Sequence, residues 1–176
     1  MIELSFGRQS DAGHTQELNE AMSERLYMIL LVFKITPGYD INGVFHPDVF
    51  YEWMSAVKNW SKENDRYEIT MNTVGSGLAY AVLGELDLPE EAIMYELNKA
   101  ENSELRHGYY LGTLNQREVH VIDPEGKPEL ALAEGYSNRA DIVEDSGYFR
   151  YAETLRDIAR HYSEEAKQNI STVYQS

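Results

Sequence analysis

The chain has 176 residues, no cysteine, 43% hydrophobic and 26% charged composition, and a formal net charge of −15. That length and mix suit one folded domain with a sizeable core rather than a disordered chain, and the lack of cysteine excludes disulfides, thiolate metal sites and a thiol nucleophile. The charge argues against direct nucleic-acid binding, because the fifteen Lys and Arg are scattered rather than gathered into a run.

In chain order, residues 1–14 read as a loose lead-in, with Gly7, Asp11 and Gly13 opposing regular structure. Thr15 can cap a helix to about Ile35, which Pro37-Gly38 ends. Its apolar run Tyr27–Phe33 is too short to span a bilayer, and no signal-peptide pattern precedes it, so a cytoplasmic protein without a membrane segment is expected. Residues 37–46 form a turn-rich connector, and Pro47 suits the first position of a second helix. There Val49, Phe50, Trp53, Met54, Val57 and Trp60 make a wide stripe predicted to pack in the core.

Residues 67–83 carry two signals. Tyr67, Met71, Val74 and Leu78 keep helical spacing, whereas Ile69–Val74 has strand-like composition and Gly75 and Gly77 weaken a helix. Helical neighbours favour a helix. Gly75-Ser76-Gly77 lacks the Lys-Ser/Thr of a phosphate loop, so the glycines point to close backbone packing. Pro89 opens a short helix through Ala92, Ile93 and Leu97, and Ser103 caps the next, to about Leu114. Gly108 and Gly112 share a face there that admits a close neighbour.

Residues 115–127 form a connector with a turn at Asp123–Gly126 and a stretch, Val119–Ile122, suited to extended backbone. Leu132, Tyr136, Ala140 and Val143, then Tyr148, Ala152, Leu155, Ala159, Tyr162 and Ala166, recur at helical spacing on either side of Glu144–Gly147. They predict an antiparallel helical hairpin over 128–170. The expected fold is all-α: about seven helices in one compact domain, residues 15–170, with a tail at 171–176 and no hairpin-turn chemistry between strands.

From Ser103 onward the residues Gly112-Thr-Leu-Asn115-Gln-Arg117-Glu-Val119, Asp123, Glu129–Tyr136, Tyr148–Leu155 and Ala159-Arg-His-Tyr162-Ser-Glu-Glu165-Ala166 form a pattern. It resembles a helical module near the C-termini of large, uncharacterised bacterial proteins, with a Gly-x-x-Asn-x-Arg motif before two amphipathic helices. The resemblance spans roughly residues 33–170, and Ser163 departs from its usual Tyr-Glu-x-Glu-Ala ending. It implies a bacterial accessory module and no particular activity.

Three groups of residues are candidates for function. Residues 85–104 hold seven carboxylates against Lys99, a net −6, so Glu90, Glu91 and Glu96 are candidate contacts for a basic partner. Asn115 is a candidate for stopping a helix, with Arg117 donating to the spare carbonyls or to Asp123; the alternative has Arg117 as an anion-binding fork and His120 as a proton carrier. Arg156 to His161 resembles the Arg-x4-6-His pattern of the HEPN ribonucleases, in which arginine stabilises phosphate charge and histidine moves the proton.

None of the five histidines lies four residues from another, so no two-histidine helical metal site is expected, and no cofactor fingerprint is present. The favoured reading is a non-catalytic, acidic protein-interaction or regulatory module whose partner is a protein with a basic surface. The alternatives are an acidic mimic that inhibits a nucleic-acid-binding protein and an HEPN-like ribonuclease using Arg156 and His161. Self-association is left open.

Overall fold

A computed structural model describes residues 36–81, 83–84, 88–117 and 123–173. The chain divides between Phe33 and Lys34, and every described residue belongs to the second unit, Lys34–Ser176. The expected lead-in, the helix from Thr15 to Ile35 and the extended stretch at Val119–Ile122 lie outside the described residues. The described part is all-helical: α1 Pro47–Glu63, α2 Tyr67–Leu78, α3 Glu91–Asn98, α4 Ser103–Asn115, α5 Lys127–Asp145 and α6 Phe149–Val173.

The connector before α1 is tighter than its composition suggested. Tyr39 and Phe45 form an isolated antiparallel bridge that belongs to no strand, in keeping with the expected all-α fold. The Asp40 carboxylate accepts the backbone N–H groups of Asn42 (2.8 Å) and Val44 (2.9 Å), and Gly43 takes a φ of +78°. A short acidic side chain closing its own turn is the physical signal that the string Asp40-Ile41-Asn42-Gly43 carries.

Helix α1 begins at Pro47, which has no N–H to leave unbonded, with Asp48 in its first turn and Lys62 in its last. Phe50, Met54 and Ser61 are buried, and Trp53 and Val57 pack against the core. Val49 and Trp60 stay about half exposed, so the predicted stripe buries only its central line. At ~100° per residue both lie on one flank of the line through Phe50, beyond what the neighbouring helices cover.

Residues 67–78 are helical despite their strand-like composition, because packing onto α4 overrides propensity. Thr73 Oγ1 donates to the carbonyl of Ile69 (2.8 Å), which takes up its hydroxyl within the helix. The glycines explain the rest. A methyl group at Gly75 would collide with the carbonyl of Leu105, and one at Gly108 with the carbonyl of Asn72. At Gly112 it would lie 2.6 Å from the carbonyl oxygen of Ser76. The two helices therefore touch backbone to backbone along a shared glycine seam.

Helix α6 is long and meets α3, α4 and α5. Its Tyr151, Ala152, Leu155, Ile158 and Tyr162 are buried with Phe50, Met54, Met71, Leu78, Ile93, Leu97 and Leu105, the centre of the core. It reaches Val173, beyond the expected end at residue 170. Between α5 and α6, Gly147 (φ +87°) donates to Glu144 (2.8 Å) and Tyr148 donates to Val143 (3.1 Å), which ends α5 with a glycine in the left-handed region. Gly126 lies against Ala166, Tyr136 stacks on Tyr162 at 5.8 Å, and Arg156 reaches Asp141 and Glu144.

Candidate functional site

The three acidic candidates do not share one environment. Glu96 is only 3% exposed and bonds Lys58 (2.8 Å), Lys99 (2.5 Å) and the amide nitrogen of Asn102 (3.0 Å). Burial alone would raise its carboxyl pKa, but the bonds from Lys58 and Lys99 outweigh burial and hold it below the ordinary value. It is an internal anchor between α1, α3 and the α3–α4 turn, and no surface contact for a partner. The period of α3 explains this: Glu96 shares the inward side with Ala92, Ile93 and Leu97.

Glu90 and Glu91 are exposed at the start of α3 and have tyrosines around them. Tyr39 donates its hydroxyl to Glu90 (3.3 Å), and Tyr148 donates to Glu91 (2.9 Å). Tyr51 of α1 meets Tyr95 of α3 edge-on at 6.2 Å, and these residues are 38% and 50% exposed. Lys99 Nζ sits 4.7 Å from the centre of the Tyr95 ring. The face thus joins the 39–45 loop, α1, α3 and the start of α6.

Partial burial and the neighbouring Glu90 push the Tyr39 phenol up to about 12. Tyr148 is raised by burial and by its bond to Glu91, and Tyr51 by burial and the charge of Glu96. At neutral pH all three remain protonated donors. They are poor nucleophiles or bases, and good ring surfaces.

Arg117 is not an open anion fork. It bonds the fully buried Glu129 and, at 3.0 Å, Glu165, with its guanidinium 5.8 Å from the Tyr162 ring centre. The acceptors it was expected to reach, spare carbonyls or Asp123, are replaced by these two acids, which tie the end of α4 to α5 and α6. Asn115 is the last residue of α4 and exposed; Gln116 follows in right-handed conformation, so no left-handed Asn stops the helix. His120 lies outside the described residues.

Arg156 and His161 face different helices. Arg156 bonds Asp141 (3.1 Å) and Glu144 (2.5 Å) of α5, which raise its pKa, whereas His161 Nδ1 lies 3.4 Å from the Tyr110 hydroxyl of α4. Five residues on a helix turn a side chain by about 140°, so the spacing that matched the ribonuclease pattern separates the pair.

His161 instead lines a cleft of about 720 Å³ between α4 and α6 with His107, Arg106, Arg150 and Arg160. These partners carry a signal in the sequence: each of the two helices contributes an Arg-His dipeptide, Arg106-His107 and Arg160-His161. Reading by fixed motif spacing passes over such a pair, because its members meet across helices.

Among the described residues, no group of three or more His, Asp or Glu could hold a metal ion, and no helix is long and apolar enough to cross a membrane. Comparison with protein-family models, curated proteins and solved structures gives no match.

Proposed function

We propose that the chain is a non-catalytic, acidic, helical protein-interaction module that docks a basic segment of a partner protein on its tyrosine–carboxylate face. The observation that carries this reading is the bonding of Glu90 by Tyr39 and of Glu91 by Tyr148, with the half-exposed Tyr51–Tyr95 ring pair close enough for Tyr51 to feel the charge of Glu91. Tyrosine supplies broad contact area at small entropic loss, and its ring face attracts guanidinium and ammonium groups. Carboxylates beside it favour the same cations.

Each contact on this face is individually weak. Two exposed ion pairs and two exposed cation–ring contacts together favour a basic over a neutral segment by about 1–4 kcal/mol. That corresponds to a preference between about fivefold and a thousandfold, which suits a reversible regulatory contact. The antiparallel hairpin of α5 and α6 serves as scaffold in this reading, holding Tyr148 at one end of the face. On the resemblance noted above, the module is bacterial.

The acidic-mimic alternative is weakened by the burial of Glu96, which removes one charge from any surface row. The ribonuclease alternative is weakened by the engagement of Arg156 with two carboxylates.

The test is titration with an arginine–glycine repeat peptide. Replacing both Glu90 and Glu91 by Gln weakens binding by about two- to thirtyfold, the loss of two exposed ion pairs, and Tyr95→Ala weakens it by about two- to fivefold, the loss of one cation–ring contact. Equal binding by these variants, with unchanged circular dichroism, would reject the proposed face.

A further inference from the structure

We propose that the cleft between α4 and α6 binds a phosphate monoester carried on a small molecule. It is independent of the tyrosine–carboxylate face. The cleft places three of the chain's nine arginines and two of its five histidines around one space, in a chain of net charge −15. Its volume of about 720 Å³ falls within the range of small-molecule sites.

The arginines differ in what already holds them. Arg160 bonds Asp157 (2.6 Å) and lies 3.8 Å from Glu153, so its charge is largely answered. One terminal nitrogen of Arg106 donates to the carbonyls of Leu97 (2.9 Å) and Lys99 (2.6 Å), which fixes its guanidinium plane at the cleft wall. Arg150 is exposed, and among the described residues no carboxylate lies within ion-pair distance of its guanidinium. Burial first, and the like charge of Arg150 second, lower the pKa of Arg106. Two guanidinium groups that repel one another across one space are positioned to share an anion, and their planar forks match phosphate oxygens.

The remaining lining favours the same ligand. Ser103 adds a hydroxyl, and His107 and His161 add imidazole nitrogens, with Tyr110 holding His161 in place. Glu153, Asp157 and Glu164 also border the cleft. These acids and the overall charge repel a long polyanion, while a single phosphate fits between the arginines. The charge balance therefore selects a small ligand over nucleic acid.

The experiment is a calorimetric titration of the full chain with inorganic phosphate, adenosine monophosphate, adenosine and a phosphoserine peptide. Phosphate and the monophosphate should saturate at or below the order of 10 mM, and adenosine should not bind. Arg150→Gln should weaken both by about tenfold, the loss of one charge-assisted contact, with unchanged circular dichroism. Lys127→Gln, on an exposed lysine outside the cleft, should leave them unaltered. Absence of saturation, equal binding of adenosine, or indifference to Arg150→Gln would overturn the site. Tighter binding of the phosphoserine peptide than of the monophosphate would overturn the small-molecule assignment.

Discussion

The hydroxyls of Tyr109 and Tyr151 are bonded to each other at 2.9 Å, their rings edge-to-face at 5.4 Å, and both are buried where α4 meets α6. Each phenol satisfies the other inside the core. Tyr151→Phe leaves the Tyr109 hydroxyl without that partner and should destabilise the fold by about 1–3 kcal/mol. The double change to Phe should recover part of that loss, because it removes both polar groups. Urea titration of the three variants checks the order.

The same pair sets an alkaline limit. Burial pushes the Tyr109 phenol up to about 12, and burial with the charge of Tyr109 raises Tyr151 well above its ordinary value of 10. The unfolded chain therefore loses these protons at lower pH than the folded one. Their contribution to stability is complete below pH 10 and declines as pH rises from 10 toward about 12. Urea midpoints taken across that window should fall for the native chain and fall less for the double Phe variant.

Glu96 sets an acid limit of opposite sign. Its folded pKa lies below the ordinary 4.5, so its contribution is complete above pH 4.5 and is lost as pH falls through the lowered value. Glu96→Gln should destabilise the fold at neutral pH by about 1.5–3 kcal/mol, the range for a bond to a charged group. It should also flatten the loss of stability below pH 4.5, read from denaturant midpoints.

Leu155 is buried against the centre of the core. Leu155→Ala should lower stability by about 2–5 kcal/mol, and Gly108→Ala by about 1–3 kcal/mol through overpacking against Asn72. A thermal melt in which Gly108→Ala is neutral would show that α2 and α4 can separate without loss.

The helices were legible wherever one apolar line repeats with the helical period, as at Met71, Val74 and Leu78 or Ala152, Leu155 and Tyr162. The close approach of α2 and α4 could be read from Gly108 and Gly112, because little except a neighbouring backbone uses two glycines on one helical face. Ion pairing was not legible. Arg117 and Glu165 lie 48 positions apart, and Lys58 and Glu96 lie 38 apart, so their meeting depends on tertiary packing. The same holds for the tyrosine–carboxylate face, whose members come from four segments. Glu96 reads as one more acid in a charged run until the inward side of α3 is known.

Amide and tyrosine-ring NMR shifts during addition of the arginine–glycine peptide test the docking face most directly. The docking proposal predicts saturable changes confined to Tyr39, Tyr51, Glu90, Glu91, Tyr95 and Tyr148, diminishing as salt shortens the screening length to about 10 Å at 0.1 M. Shifts spread evenly over the acidic surface, or centred elsewhere while these residues stay unmoved, would contradict it.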